Sequence, residues 1–301
     1  MAGLVFILAA IFFLIALIFC LPFRMIVFHP FRSLFYFLKD SVLYFLRKDW
    51  RICKTGQLNC YFAHFGGGKT LSATQFIRKQ YMRYNNKKIY DRDQKKYVMQ
   101  RVLVLSNVEF VGLPAVKLES LAQIVSIASK NKELDRSEGY RTCIIVFIDE
   151  ASSQLNSREF KSNITPDFLN TLVTSRHYNM SIIYTTQKFK LVDALLRSVT
   201  QKAILCKKSW RTVELLYYDA DELEYASNPM LVKPLFRKSY WCSDKLFQTY
   251  DTLATVDKLR KSMDKGDYLT EQEILALRGS LQSDNDQITQ RSRRWKRLAK
   301  S

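Results

Sequence analysis

The stretch QLNCYFAHFGGGKTL, Gln57 to Leu71, decides the fold. Gln57–Phe62 reads as a short strand. It runs into the loop Ala63-His64-Phe65-Gly66-Gly67-Gly68, then Lys69-Thr70, and a helical pattern follows from Leu71 to about Tyr84. Strand, glycine loop, Lys-Thr and helix form the order that a phosphate-binding loop requires. The glycines let backbone N–H groups turn inward around phosphates, Lys69 reaches the β and γ groups, and Thr70 ligates Mg²⁺. The cofactor-binding set is therefore Gly66, Gly67, Gly68, Lys69, Thr70 and Leu71, and the cofactors are ATP and Mg²⁺. The usual pattern begins with glycine where Ala63 stands, which weakens the match if loop entry needs that flexibility.

A second motif lies about 80 residues on. Ile144-Ile145-Val146-Phe147-Ile148 is a continuous apolar run, the pattern of a strand buried on both faces, and it ends in Asp149-Glu150. A carboxylate at the carboxyl end of such a strand falls beside the phosphate loop. Asp149 is expected to hold Mg²⁺ through water, and Glu150 to orient the attacking water as base. A third strand, Ser181–Gln187, turns from apolar to polar and delivers Thr186 and Gln187 to the same edge, where Gln187 can sense the γ-phosphate or position water. Arg176 falls near the start of that strand, at its opposite end. It is expected to act as an arginine finger toward a neighbouring subunit, or else as a surface ion pair; His177 is expected to be structural.

Composition bounds the rest. The 301 residues carry 47 Lys+Arg against 28 Asp+Glu, a formal charge of +19, yet 48% are hydrophobic, which excludes a disordered basic tail protein. Six cysteines without a C-x-x-C pair argue against a disulfide framework and a structural zinc site, and three histidines against a His-rich metal centre. The charge is concentrated: residues 24–60 net +5, 78–101 net +7 and 284–301 net +4, together +16 of the +19. Clusters of this kind suggest contacts with polyanions, lipid head groups or nucleic acid.

Residues 1–23 contain no charged side chain, and Leu4–Leu21 is wholly apolar. That is enough for one transmembrane helix over 1–23, and with no basic n-region or A-x-A-like site a permanent anchor is expected over a cleaved signal. The basic, aromatic segment 24–54 is expected to lie in the cytoplasmic interface, by the positive-inside bias, with a second short span as the alternative. The organisation is then 1–23 transmembrane, 24–54 juxtamembrane, 55–268 a P-loop ATPase domain with a carboxy-terminal extension, and 269–301 a short helix and basic tail. Residues 85–101 read as a charged hairpin ahead of the strand Val102–Leu105, touching DNA or merely solvated. Val116–Ser129 reads as an amphipathic helix, and Glu159–Pro166 as a nucleotide-responsive loop. The aromatics of the extension, Tyr225, Phe236, Tyr240, Trp241, Phe247 and Tyr250, are read as core or subunit contacts. Glu271–Arg278 reads as a short helix. The basic run around Trp295 suits DNA or anionic lipid.

The phosphate loop, F-I-D-E-A at Phe147–Ala151, R-H-Y at Arg176–Tyr178, the I-I-Y-T-T-Q strand and V-D-x-x-L-R at Val192–Arg197 together resemble the zonular occludens toxin-like (Zot) ATPases of filamentous phages, in the FtsK–HerA group of P-loop motors. The resemblance spans roughly residues 55–210. It implies an α/β, RecA-like sheet with helices on both faces behind the amino-terminal transmembrane helix. It also implies ATP hydrolysis driving phage DNA export or packaging and virion assembly at the host inner membrane, single-pass, with the ATPase domain cytoplasmic. The implied partners are the phage genome, as single-stranded DNA although the residues do not distinguish it from double-stranded, the membrane, phage coat and other assembly proteins, and further copies of the chain in a ring. Two features depart from the family: Ala63, and an anchor before the ATPase domain instead of after it. Conjugation or membrane-virus packaging ATPases of the same group remain alternatives. So does a non-hydrolysing nucleotide-binding scaffold that recruits DNA, which Ala63 favours.

Overall fold

The computed structural model describes residues 2–154, 166–228, 231–249 and 269–279. The expected responsive loop Glu159–Pro166, apart from Pro166, which opens a helix, and the basic tail lie outside these residues. The chain divides into two units, Met1–Ile52 and Cys53–Ser301.

In the first unit α1 spans Ala2–Phe19, α2 Leu21–Phe28 and α3 Pro30–Arg47. The expected single helix over 1–23 is corrected here. Cys20 is extended (φ −107°, ψ 96°), and Pro22 opens α2. A proline has no N–H to continue the ladder and its ring clashes with the preceding turn, so it starts a new helix instead of extending the old one. Among the described residues no single helix is long and apolar enough to cross a membrane; Val5–Phe19 and Leu21–Phe28 reach that length and composition only together, bent by 104°. A second break follows at His29, with Pro30 opening α3.

The second unit is a mixed α/β sheet in the order β2-β3-β5-β6-β1-β7-β8-β9, with the short β4 (Val116–Lys117) beside β3. Five strands of that order are parallel, β3 (Lys96–Ser106), β5 (Tyr140–Ile148), β6 (Met180–Thr186), β1 (Leu58–Phe62) and β7 (Lys202–Ser209), and β4 runs parallel to β3. β2 (Lys87–Asp91) closes one edge antiparallel, and β8 (Thr212–Asp219) and β9 (Phe236–Trp241) extend the other. Successive side chains on a strand point to opposite faces, so each buried strand feeds two cores. Ile144, Val146 and Ile148 pack with Leu121, Ile124 and Ile127 of α5 (Leu121–Glu138). Cys143, Ile145 and Phe147 pack on the other face with Leu71, Ile77 and Tyr81 of α4 (Lys69–Tyr84). Helices thus cover both faces.

Two local readings change. The charged hairpin is no appendage: its second arm and the strand expected at 102–105 are one 11-residue strand, β3. The helix expected from Val116 begins instead at Leu121, because Val116–Lys117 pair with Leu105 and Ser106, and Ser120, at the residue before the helix, is still extended at φ −142°.

Candidate functional site

Parallel strands bring their carboxyl ends to one edge, where open α/β sheets bind ligands. β1 ends at Phe62, and the chain turns through His64–Gly68 into the first turn of α4, with Gly67 N–H donating to the His64 carbonyl at 3.0 Å. Gly66 (φ 73°) and Gly68 (φ 81°) are left-handed, a region open to glycine at no steric cost. Gly67 is required by space: a Cβ there would stand 2.6 Å from the Ala63 Cβ and 3.0 Å from the His64 carbonyl oxygen. Ala63, by contrast, is buried and not among the positive-φ residues, and its N–H donates to the Thr186 carbonyl. The loop is therefore entered in a conformation that alanine adopts freely. The free N–H groups of the first turn of α4, and its dipole, face the place where an anion would lie.

The acidic partners converge on this turn. The Thr70 hydroxyl donates to both carboxylate oxygens of Asp149, at 3.0 and 3.2 Å. Lys69, only 8% exposed, places Nζ 4.0 Å from Oε1 of Glu150. Glu150 holds a left-handed backbone, φ 52°, and its N–H donates to Thr185 Oγ1 at 3.0 Å. Burial pushes the Asp149 carboxyl above its ordinary value. Hydrogen bonds from Thr185 and Thr70 and the charge of Lys69 act in the opposite direction.

A hydroxyl and a carboxylate are hard oxygen donors of the kind Mg²⁺ takes, alongside water and substrate phosphates. Thr70 and Asp149 would hold that ion. Among the described residues no group of three or more His, Cys, Asp or Glu forms an all-protein cage.

Gln187 directly follows β6 at this same edge and is half-buried. Leu71 lies in the first turn of α4, its side chain in the core. Arg176 is not brought to the site. It is exposed in the turn before β6, its Cβ against Gly56, so that the seven residues of β6, about 23 Å, separate it from the phosphate loop.

Two residues of the site were not singled out from sequence. Asn107, at the end of β3, accepts from the Asp149 N–H at 2.8 Å and donates to its carbonyl at 3.2 Å, fixing the backbone that carries the carboxylate. Thr185 donates to Asp149 Oδ1 while accepting from Glu150. The signal was present: V-L-V-L-S-N at 102–107 has the same apolar-to-polar change as I-I-V-F-I-D.

The family model described as Zonular occludens toxin (Zot) matches residues 62–228, more than half of the chain. No curated protein matches. Among solved structures, the N-terminal domain of zonular occludens toxin from Neisseria meningitidis is similar at 19% identity and TM-score 0.45, over 66% of this chain and 100% of that one. The genome packaging NTPase B204 from Sulfolobus turreted icosahedral virus 2, in complex with ATP-gammaS, is similar at 13% identity and TM-score 0.38, over 62% and 98%.

Proposed function

The chain belongs to the Zonular occludens toxin (Zot) family, and from that membership and the geometry of its site we propose that it is an ATPase whose hydrolysis drives phage DNA export or packaging during virion assembly. One observation carries the reading: Lys69 and Thr70, at the start of α4, meet the Asp149-Glu150 pair at the end of β5, through a 3.0 Å hydrogen bond from Thr70 to Asp149. The word toxin in the family's description brings no such activity to this chain.

In this reading the loop amides from Gly66 to Leu71 hold the phosphates. Lys69 exchanges Glu150 for the β and γ oxygens, which releases Glu150 to accept a proton from the attacking water. Bound Mg²⁺ would supply neutralisation of charge on the phosphate oxygens. Thr70 and Asp149 orient that ion, and Asn107 and Thr185 hold Asp149 and Glu150 in place. Gln187 positions water or senses the γ-phosphate. Arg176, far from its own site, serves the site of a neighbouring copy in a ring. Catalysis of this kind is positioning and charge neutralisation. With Ala63 free of backbone strain, the feature that favoured a non-hydrolysing scaffold no longer does so.

Membrane attachment belongs to the same proposal. Val5, Phe6, Phe12, Phe19 and Phe28 of α1 and α2 are all more than 60% exposed, an apolar surface that a bilayer would cover. The bent pair α1–α2 replaces the single straight span as the anchoring element. α3, with Arg32, Lys39 and Arg47 among its aromatics, suits the cytoplasmic interface of the host inner membrane.

The test is phosphate release by the full-length protein in detergent, with and without DNA. Lys69→Ala is expected to lose nucleotide binding and turnover. Glu150→Gln is expected to lose turnover while still binding ATP. Measurable hydrolysis by both variants would sink the assignment, and a rate indifferent to DNA would favour the scaffold.

A further inference from the structure

Two tryptophans stand out of the sheet at the edge that carries the phosphate loop. Trp210 is 77% exposed and Trp241 57%, with ring centroids 5.2 Å apart, edge to face. Trp210 and Arg211 form the two-residue connection between β7 and β8, and Trp241 ends β9, paired with Thr212. Trp210 has φ 51°. Tight hairpins place glycine or asparagine at such positions, and a bulky residue held there costs on the order of 1–3 kcal/mol. The fold therefore keeps a large ring outward in a strained backbone, beside a second ring, with more than half of each left open.

The surroundings are cationic. Residues 207–211 contain Lys207, Lys208 and Arg211 and no acid. Part of this charge is engaged: Arg211 pairs with Asp244 at 2.7 Å, Lys208 lies over the Phe247 ring at 4.8 Å, and Glu214 is the register partner of Lys207. Exposed flat rings among lysines and an arginine match a chain that offers both unstacked bases and phosphates. Single-stranded nucleic acid does so, whereas a duplex keeps its base faces inside.

The hairpin also runs beside the phosphate loop. A Cβ on Gly68 would lie 3.4 Å from Lys208 Cβ and 3.6 Å from Val213 Cγ2, and these two residues are register partners across the hairpin. Trp210 follows two residues beyond Lys208, about 7 Å along the strand. A strand that runs beside the nucleotide loop and carries the rings just beyond it can pass a shift of the loop to whatever the rings hold.

We propose that the β7–β8 hairpin tip, with Trp210 edge to face with Trp241 and with Lys207 three residues before it in the chain, is a binding platform for single-stranded nucleic acid. Its place in a motor rests on the ATPase reading above, but the platform is tested without nucleotide, so the two can fail separately.

The test is fluorescence anisotropy of a labelled oligothymidylate with the full-length protein in detergent at low salt. Trp210→Gly and Trp241→Ala are each expected to weaken binding about 5- to 100-fold, while Trp210→Phe keeps most of it. Trp210→Gly relieves the turn, so its thermal unfolding is expected at or above that of the unaltered protein, which separates lost stacking from lost folding. Tryptophan emission is expected to quench on adding oligonucleotide, and less so in Trp210→Gly. Binding by both variants within about twofold of the unaltered protein overturns the proposal. So does an equal loss for duplex of the same length, or a loss confined to phosphatidylglycerol-containing vesicles, which would make the tip a lipid contact.

Discussion

Ala63 and Gly67 show how two small residues in one loop answer to different constraints. Ala63 has an ordinary backbone, so Ala63→Gly is expected to leave ATP turnover within about twofold and to lower stability by about 0.5–1 kcal/mol through the freer unfolded chain. Gly67→Ala places a methyl group 2.6 Å from the Ala63 Cβ and is expected to abolish nucleotide binding, as measured by titration with a fluorescent ATP analogue. Asp149 makes a third case. Burial raises its folded pKa above the unfolded value, so ionising it opposes folding. Without nucleotide, stability falls as pH rises from the ordinary aspartate value through the folded one. Asp149→Asn is therefore expected to melt higher than the unaltered protein at neutral pH and to lose the further stabilisation by ATP with Mg²⁺; a lower melting temperature without ligand would contradict this. Lys69, Thr70, Asp149 and Glu150 were legible because each stands at a fixed offset from a strand end. Thr185 was passed over for its neighbours because which of several polar residues at a strand tip turns inward depends on the pleat and on what packs beside it.

The helix at 271–279 was legible from its pattern, but not what it docks on. Arg278, 3% exposed, reaches Asp135 on α5 and donates to Thr142 Oγ1 at 2.9 Å on β5, and Arg101 pairs with Glu138 in the same cluster. Burial pushes the Asp135 carboxyl up, against the pull of Thr142 and the two arginines. Removing one partner of a buried ion pair leaves the other charge desolvated, so Arg278→Ala is expected to cost about 3–5 kcal/mol in urea unfolding. A change below about 1 kcal/mol would show that this helix is dispensable to the body. At the other end of the chain, hydropathy alone suggested one helix over 1–23. Pro22 divided it, because a ring without an N–H outweighs a continuous apolar run in setting where a helix ends.

For the molecule as a whole, the large exposed apolar side chains are concentrated in residues 1–52, while the rest has its own two cores on either face of one sheet. The full-length protein is accordingly expected in the membrane fraction, released by detergent but not by high salt. Residues 53–301 alone are expected to unfold cooperatively without detergent. Recovery of the full-length protein in the soluble fraction would overturn the attachment, and binding of oligonucleotide that does not weaken with salt would overturn the electrostatic part of the nucleic-acid reading.

Order along the chain, the phosphate loop, the acidic pair and the identity of the buried strands follow from local pattern. These features depend on a few covalently linked residues and on apolar periodicity. The merging of the hairpin into β3, the pinning of Asp149 by Asn107 and the meeting of Trp210 with Trp241 depend on contacts between segments tens of residues apart. Local propensity carries no record of such contacts, and they exist only once the strands have taken their order in the sheet.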